Sequence, residues 1–598
     1  PKHPESPPKF ADDAGSSGVL NVGAAEGDAA AAAGVVDTDT IRFGDGDGEI
    51  VFNHTATDYI FGADVSGAGT LSFLSGVTEL TGDFSAFTGG LSVEGGLVSV
   101  NTDTLTVVAS VLDGATLGGT GTLGNVAVAS GGTVAPGNSI GTISVANIDF
   151  AAGSIYSVEV DDLGNSDLID ASGTATISSG ATVTVGPENG TDDGSTYTSG
   201  TVYTILSATG GVTGTFGSVT DSFAFLDGRL SYDADNVFLT LLRNNVAFSS
   251  LGETRNQVAV GTALESLAIG DALYDAVVGL GAADVPGAFD DLSGDIHASI
   301  QGMLVDDSHY VRDSFNGRLL GERPQSYGFW TSGFGAWART ESDGNAGSLT
   351  HSTGGLAGGA DAVLAEDWRF GFAGAYSATS FDEASRGASG TADNATLGLY
   401  GGRAFGPVDL RFGAAYTWHR ISTERNVDAG SLDDSNEADY DARTAQLFGE
   451  ASYAIETGFG RLSPFAGLAY VHLSTDGFDE DGGATALSAD ANSYDTTYGT
   501  LGLRGEAPLM LGDTKAVLHG MVGWRHDFGD GLPEAQFSFA GSDAFTVYGV
   551  SPARNVAVVE AGISLPISEN ALVGLSYAGE AGDGAWEQQN RGRTDVRF

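Results

Sequence analysis

Strict alternation of apolar and less apolar residues marks the C-terminal part of this chain. Residues 408–419 divide into two faces in this way, and residues 368–377 and 557–565 repeat the pattern. The apolar face of 408–419 consists of Val408, Leu410, Phe412, Ala414, Tyr416 and Trp418. About ten residues of such alternation are typical of a transmembrane β-strand, whose apolar side contacts lipid and whose other side faces the lumen. The pattern therefore predicts a membrane β-barrel.

The final strand keeps this alternation up to an aromatic end. Its two faces consist of Gly592, Thr594, Val596 and Phe598 on one side and of Arg593, Asp595 and Arg597 on the other. A soluble protein rarely ends on such a strand, because a terminal edge strand frays or aggregates. A closed barrel needs it, because the last strand must pair with the first to remove both edges. We therefore interpret Val596 and Phe598 as the assembly signal of the barrel.

The connections between these strands alternate in length. Short turns such as 405–407 and 457–459 are separated by longer acidic or Gly-rich loops at 342–350, 383–391, 422–440, 475–492, 529–553 and 580–586. Outer-membrane barrels have short turns on one side and long loops on the other. The pattern predicts a barrel of twelve antiparallel strands, with residues 536–547 as a hairpin inside the longest loop. A soluble β-sandwich is the alternative, but it does not predict alternating loop lengths.

A helical period replaces the alternation between residues 254 and 322. Residues 295–319 would form a helix long enough to cross a bilayer core, at about 1.5 Å per residue. The segment is too polar to face lipid, since it contains Asp306, Asp307, Arg312 and Arg318 among other polar residues. We expect it to occupy the barrel lumen, where Arg312 and Arg318 would pair with inward carboxylates such as Glu450 and Glu560. A soluble helical linker is the alternative.

Short strands separated by glycine fill the N-terminal part of the chain. Residues 67–73, 90–94, 96–100 and 121–126 show this rhythm, with strands rich in Val, Leu, Ile and Thr. Such spacing is typical of a solenoid whose inward residues stack into one core. The fold class that we predict is mainly β: a right-handed parallel β-helix, a short helical linker and the barrel. The predicted division is a flexible segment at 1–39, a passenger at 40–250, a linker at 251–325 and the barrel at 326–598.

Composition and charge agree with this division and exclude some partners. Glycine contributes 91 of 598 residues, and the formal net charge is −53. Such an acidic chain should repel nucleic acid. Cysteine is absent, which excludes disulfides, thiolate metal sites and a cysteine nucleophile. The chain begins at Pro1 without a charged-then-apolar leader, which predicts either a removed signal peptide or a fragment.

Four segments resemble, in the same order, parts of a type V autotransporter. Residues 120–145, especially Ala135-Pro136-Gly137-Asn138-Ser139-Ile140-Gly141, resemble the repeat found late in autotransporter passengers. Residues 203–241 resemble the final passenger rungs, 292–299 the linker and 327–598 the translocator. The resemblance implies insertion into outer-membrane lipid by the barrel assembly machinery, with the passenger on the cell surface. The family also contains members that cut themselves at paired asparagines, and Asn244-Asn245 resembles that pair but precedes the expected lumen helix.

Enzyme-like motifs in the passenger do not have the context that their chemistry needs. Residues 137–141 match G-x-S-x-G around Ser139, but no helix follows to form a nucleophile elbow. Residues 119–124 match a dinucleotide fingerprint, again without a helix. Residues 44–49 resemble part of a calcium loop but lack the later ligands. We therefore predict that the chain is not an enzyme and has no catalytic, metal or cofactor-binding residues and no cofactor.

The predicted function is export and display. The barrel would anchor the protein in the outer membrane and secrete the β-helical passenger, whose role would be adhesion to a host or surface ligand. Two alternatives remain open. One is a translocator whose enzymatic passenger is encoded upstream, and the other is a porin-like channel with an open lumen.

Overall fold

A computed structural model describes residues 9–103, 105, 107–188, 199–321, 326–364, 367–512, 514–529 and 531–598. The chain divides into two compact units, which we describe separately. The first contains residues 1–246 and 269–285, and the second contains residues 247–268 and 286–598.

The first unit is a solenoid of short parallel strands. One sheet has the order β2-β4-β7-β9-β11-β13-β15-β17-β20-β24-β23, a second has the order β22-β19-β16-β14-β12-β10-β8-β5, and a small third sheet is β1-β3-β6. The strands are β1 Lys9–Phe10, β2 Ser17–Gly23, β3 Thr40–Phe43, β4 Asp47–Asn53, β5 Tyr59–Phe61, β6 Asp64–Ser66, β7 Thr70–Ser75, β8 Val77–Leu80, β9 Gly90–Val93, β10 Gly96–Val100, β11 Val108–Val111, β12 Ala115–Gly119, β13 Thr122–Val128, β14 Thr133–Pro136, β15 Thr142–Phe150, β16 Ile155–Val160, β17 Leu168–Ala171, β18 Ala175–Ile177, β19 Thr182–Pro187, β20 Val202–Ala208, β21 Val212–Gly214, β22 Ser218–Asp221, β23 Leu226–Tyr232 and β24 Asn236–Arg243.

Alternate residues of these strands build a continuous apolar core, as a β-helix requires. Within it Phe52 stacks on Phe73, with the ring centroids 4.5 Å apart. The turns need glycine where backbones approach closely. Gly119 has a φ of 100°, and a Cβ there would collide with the Val100 backbone. The predicted β-helix is thus confirmed, and its rungs follow the glycine rhythm of the sequence.

Both ends of the solenoid refine the predicted boundaries. The segment predicted to be flexible contains β2, which pairs in parallel with β4 through seven residue pairs. That part of the prediction is wrong, because Val22 completes the apolar stack of the first rung and is buried. Residues 1–8 of that segment lie outside the described residues. At the other end, β20, β24 and β23 pair antiparallel, so the last rungs form a meander.

Five helices follow the passenger strands. They are α1 Arg255–Leu264, α2 Ala272–Val278, α3 Val285–Leu292, α4 Asp295–Asp307 and α5 His309–Leu320. Helix α1 begins with a capping box, in which the Thr254 side chain accepts from the Gln257 amide. The single helix predicted at 295–319 is interrupted at Ser308, which separates α4 from α5. None of the helices in the described ranges is both long and apolar enough to span a bilayer.

The second unit is built on a closed barrel of twelve antiparallel strands, as predicted. The first barrel strand, β25, pairs with the last, β41, through thirteen residue pairs, and this seam closes the sheet. The remaining strands of the chain include the two-residue β31, which pairs with β32, and four short strands outside the barrel. They are β25 Tyr327–Thr340, β26 Leu349–Val363, β27 Arg369–Glu383, β28 Ala388–Phe405, β29 Val408–Ala429, β30 Leu432–Tyr453, β31 Ile455–Glu456, β32 Arg461–Thr475, β33 Phe478–Asp479, β34 Ser488–Ala489, β35 Asn492–Leu511, β36 Thr514–Asp527, β37 Glu534–Ser538, β38 Phe545–Tyr548, β39 Asn555–Ser568, β40 Ala571–Gly582 and β41 Ala585–Arg597.

The predicted faces of the strands are confirmed. In β29, the burial alternates residue by residue, with Phe412 and Trp418 exposed on the outside and Arg411 and His419 buried on the inside. The start of β25 and the end of β41 lie at one end of the barrel together with turns such as 406–407, and we call it the terminus end. The opposite end, which carries the remaining connections, is the loop end.

Three of the six predicted long loops are instead parts of strands. Strands β29 and β30 extend through 422–440 and leave only residues 430–431 between them. The intervals between β27 and β28 and between β40 and β41 are also short. These strands carry many polar residues because they extend beyond the apolar belt, where backbone pairing continues without an apolar outer face.

A small antiparallel sheet covers the loop end. It has the order β33-β34-β37-β38 and is formed by the loops that follow β32 and β36. We call it the cap sheet. Strands β37 and β38 form the hairpin predicted within residues 536–547.

Candidate functional site

Helices α4 and α5 lie in the lumen of the barrel. Arg318 of α5 contacts β26 and β41, while Arg312 contacts Gln446 of β30, which lies on the opposite side of the barrel. A helix that reaches opposite walls must lie between them. The predicted lumen helix is therefore present. Its polar residues are buried or half-buried against the polar inner wall of the barrel, with Arg318 among the buried ones and Arg312 among the half-buried.

Arg318 anchors α5 at the terminus end. Its side chain is completely buried and donates two hydrogen bonds to Asp361 of β26, at 2.5 and 3.0 Å. A third donor reaches Asp595 of β41 at 2.7 Å. Asp361 also accepts from Arg369 and Tyr400, so its charge is compensated from several sides. Because β25 lies between β26 and β41, Arg318 bridges the two strands that flank the first one.

The middle of the lumen holds the predicted pair Asp306 and Asp307. Asp306 pairs with Arg525 of β36 at 2.9 Å. Asp307 accepts from His351 and from Thr353, both of β26 and both at 3.0 Å. The two adjacent carboxylates at the end of α4 therefore bind different walls of the barrel.

The predicted pairing of Arg312 and Arg318 with Glu450 is wrong. Glu450 pairs with Arg411 of the adjacent strand β29 at 3.0 Å and with Arg504 of β35, two strands away, at 2.5 Å. The ion pairs of Arg318 go to other carboxylates. Arg312 donates to Gln446 at 3.1 Å instead of a carboxylate. Glu560 lies on the lumen-facing side of β39, the side of Val556 and Val558, as its place in the alternation predicts. The alternation fixes which side a residue faces, but the stagger of the strands decides which residues meet across the lumen.

The cap sheet holds α4 at the loop end. The His297 imidazole lies 3.0 Å from the Glu480 carboxylate, and its ring packs against Phe478 and Phe537, with centroids 4.7 and 5.8 Å away. Glu480 also accepts from Arg425 of β29 at 2.6 Å. Sequence reasoning missed this cluster. His297 lies in the linker segment that was recognised, but its partner Glu480 lies in a loop without a periodic pattern.

Phe598 lies at the seam, where its predicted role requires it to be. Its ring stacks on Tyr327, with the centroids 5.2 Å apart, and its amide donates to the Tyr327 carbonyl oxygen at 2.9 Å. Val596 is in register with Phe329 on the first strand. The two residues thus join the last strand to the first, and their role as an assembly signal stays a prediction.

The motifs of the passenger have structural roles in this fold. Ser139 lies in the turn between β14 and β15, and its hydroxyl donates to Glu188. His54 is buried and lies 2.9 Å from the Thr78 hydroxyl. Asn244 follows β24, and its side chain donates to the Ala224 carbonyl oxygen at 3.2 Å. Neither the G-x-S-x-G motif around Ser139 nor the pair Asn244-Asn245 forms a catalytic arrangement among the residues that the structure describes.

The closed barrel with a helix in its lumen defines this molecule as an outer-membrane protein whose channel is occupied. Residues 329–578 match the family model of the autotransporter beta-domain. The C-terminal part of the chain is therefore an autotransporter beta-domain, with its barrel in the outer membrane and the passenger on the cell surface.

Comparison with known proteins identifies relatives of this chain. The chain is 33% identical over 576 residues to an extracellular serine protease of Serratia marcescens, a match that covers 87% of this chain and 54% of that protein. It is 40% identical over 116 residues to the adhesin BmaC autotransporter of Brucella suis, which covers 19% of this chain and 3% of that protein. The translocator domain of the autotransporter NalP from Neisseria meningitidis is similar in structure, with 18% identity, a TM-score of 0.41 and coverage of 49% of this chain and 98% of that one.

These comparisons correct one prediction. The chain was predicted not to be an enzyme, because its G-x-S-x-G motif lacks a helix. The Serratia marcescens relative carries the name of a serine protease, which overturns that prediction. The chain spans about half the length of this relative, so motifs within the chain were insufficient grounds for excluding an enzyme.

Proposed function

We propose that this chain secretes and displays an extracellular serine protease. The observation that carries the proposal is the 33% identity to a protein of that name over 87% of the chain. In this proposal residues 40–250 are the C-terminal part of the passenger, 251–325 the linker and 326–598 the translocator. The reaction would be hydrolysis of peptide bonds in extracellular proteins, by a catalytic centre other than the Ser139 motif.

The occupied lumen supports a role in which the barrel transports the passenger and is afterwards closed by α4 and α5. The passenger would cross the barrel and leave α4 and α5 behind, held by Arg318 at the terminus end and His297 at the loop end. The outer-membrane barrel assembly machinery would insert the barrel, with the strand that ends at Phe598 as its recognition element. Folding of the β-helix outside the cell would drive export, which requires no nucleotide.

Display is tested by surface proteolysis of intact cells that express the complete gene, followed by mass spectrometry of the fragments. We expect release of residues before about position 290, while 326–598 remains protected by the membrane. A passenger that becomes accessible only after cell lysis would contradict display.

Protease activity is tested with a fluorophosphonate probe, which labels activated serine nucleophiles, on the same cells. We expect labelling and hydrolysis of casein by the complete gene product. Ser139→Ala is the matched control and should leave both unchanged, since the Ser139 hydroxyl binds Glu188 and His54 binds Thr78. Loss of labelling in that variant would place the nucleophile in this motif, and absence of labelling in the parent would contradict a serine protease.

Adhesion is the second candidate function. It is favoured by the local 40% identity to the Brucella suis adhesin over 116 residues. Cells that display the passenger would then bind a host cell layer more than cells that carry the barrel alone. Equal binding of the two kinds of cell would exclude this role under the conditions of the assay.

A further inference from the structure

Three potential metal ligands meet in the lumen where α5 begins. His309 of α5 lies beside Glu580 of β40 and Glu587 of β41, and one donor atom from each lies within 4.8 Å of the others. The His309 Nε2 atom is 3.3 Å from a Glu587 oxygen and 3.9 Å from a Glu580 oxygen. Two ligands of a tetrahedral zinc ion stand about 3.3 Å apart, given bond lengths of about 2.0–2.1 Å. The His309–Glu587 distance equals this spacing, and the His309–Glu580 distance exceeds it by about 0.6 Å.

The imidazole is held in the tautomer that a metal needs. The His309 Nδ1 atom lies 2.8 Å from the Asp306 carbonyl oxygen, which can only accept, so Nδ1 carries the proton. In the neutral imidazole, Nε2, which faces the two carboxylates, then carries the lone pair. Metal-binding histidines are commonly oriented by such a hydrogen bond from the second ring nitrogen.

Glu580 is supported in the same way. One of its oxygens lies 2.8 Å from Arg525, and the other is the one nearer His309. Ligating carboxylates are themselves usually hydrogen-bonded by outer partners. Arg525 also donates to this second oxygen at 3.4 Å, so it orients the whole carboxylate, and the second oxygen keeps a further lone pair for a ligand.

The net charge of the groups around the site is compatible with a bound divalent cation. Five carboxylates and three guanidinium groups surround the site, which gives a net charge of −2 when the imidazoles are neutral. The carboxylates are those of Asp306, Asp307, Asp313, Glu580 and Glu587, and the guanidinium groups are those of Arg312, Arg525 and Arg591. Part of this charge is buried, where an uncompensated charge is costly. One divalent cation would neutralise it, as would protonation of His309 and His351, which lie beside Glu587 and Asp307.

Unpartnered polar atoms and a cavity adjoin the cluster. The Gln589 amide nitrogen, two residues from Glu587 on the lumen side of β41, is buried without a hydrogen-bond partner among the described residues. A cavity of about 80 Å³ is lined by His309, Glu580 and Arg525. It has room for a water molecule as the fourth ligand, which a zinc ion with three protein ligands requires.

We propose that His309, Glu580 and Glu587 bind a divalent transition-metal ion of the zinc class. One nitrogen and two carboxylate oxygens form a ligand set that suits this ion. The ion would join the start of α5 to the last two strands of the barrel. The proposal is independent of what the passenger does.

The test uses the full chain, purified in detergent, freed of metal with a chelator and titrated with Co²⁺ as a spectroscopic substitute for zinc. We expect one ion per chain with the intense visible absorption of a tetrahedral site, and displacement of that band by Zn²⁺. His309→Gln and Glu587→Gln should each weaken binding at least tenfold. His472→Gln is the matched control, because His472 lies beside Asp495 in an exposed pair, at 2.7 Å.

Each outcome decides the question. Weak octahedral absorption by the unmodified chain, or equal affinity in the parent and in His309→Gln, would overturn the proposal and leave His309 as a protonated partner of the two carboxylates. Heat-modifiable migration on gels establishes that each variant is folded. If His309→Gln does not fold, the near-isosteric Glu587→Gln and the absorption of the unmodified chain still decide between the two results.

Discussion

At the scale of single residues, buried charges determine how the lumen helices pair with the barrel wall. Arg318 is the clearest case, since three hydrogen bonds to two aspartates hold it where no water reaches it. A hydrophobic side chain at this position would fill the space but leave Asp361 and Asp595 with less compensation. The cost of removing one partner of a buried ion pair generally exceeds the gain that the pair itself gives.

Arg318→Met should therefore lower the free energy of unfolding by about 3 kcal/mol. Urea unfolding of the chain in detergent, followed by tryptophan fluorescence, measures it. Arg339→Met is the control, because Arg339 forms an exposed pair with Glu341 that contributes little. Equal losses in the two variants would contradict an anchoring role for Arg318.

Phe598→Ser should reduce the folded fraction in the outer membrane several-fold. The substitution removes the stacking on Tyr327 and places a polar group at the lipid-facing end of the seam. Heat-modifiable migration of membrane fractions measures the folded fraction. Phe598→Tyr keeps the ring and should assemble normally, and normal assembly of Phe598→Ser would refute the role of the terminal aromatic.

Asp167 of the passenger should make stability depend on pH. Burial raises its pKa to about 7, helped by the charges of Glu159 and Glu188, while hydrogen bonds from the Glu159 and Gly141 amides oppose the increase. Because this pKa lies above the unfolded value, the contribution of Asp167 to stability is complete at about pH 4 and is lost as pH rises through 7.

We therefore expect the thermal transition of the passenger to move to lower temperature between pH 5 and pH 8. Differential scanning calorimetry of the full chain measures this shift, and it should be smaller in Asp167→Asn. The same shift in both proteins would show that other groups cause it.

At the scale of elements, the apolar belt of the barrel is set by aromatic residues at two levels. Trp368 and Phe370 stack near the terminus end, with centroids 5.8 Å apart, while Tyr416 and Trp418 lie together nearer the loop end. Leu399 of β28 lies between the two levels and is 66% exposed. It should therefore contact the middle of the bilayer.

Leu399→Arg should lower the free energy of unfolding from vesicles by about 2–4 kcal/mol, the usual cost of a cation at the midplane. Leu399→Ala removes the apolar side chain without adding a charge and separates the two effects. A cost for Leu399→Arg no larger than that for Leu399→Ala would show that this position does not contact the hydrocarbon core.

Helix α4 shows how an element can be polar and buried at the same time. Its side chains His297, Ser299 and Gln301 are nearly inaccessible, yet each forms a hydrogen bond to a strand or to the loop-end connections. The helical period could be predicted from the sequence because it is local. The interruption at Ser308 could not, because α4 and α5 meet different parts of the barrel wall.

At the scale of the whole molecule, the occupied lumen separates an autotransporter from an open channel. The full chain should give little conductance in planar lipid bilayers, since α4 and α5 fill the barrel. Deletion of residues 295–320 should open a conducting path and raise the conductance several-fold. A full chain that conducts as well as the deletion variant would support the porin-like alternative.

The sequence by itself determined the features that depend on local period. Alternation at every second residue decided which side of each barrel strand meets lipid, and the glycine rhythm decided the rungs of the β-helix, because strand geometry has a fixed period of two. The change to a helical period located the segment that enters the lumen. The resemblance of four ordered segments identified the family.

Only the tertiary structure decided which residues meet. Arg318 pairs with Asp361 and Asp595, and Glu480 reaches His297, over separations that no local pattern encodes. These contacts depend on the stagger with which the barrel closes and on how its loops fold back over it. Residues 422–440 were predicted to be a loop for the same reason, although they are the polar ends of β29 and β30. Pairing with partner strands keeps these ends extended, and their own composition does not indicate it.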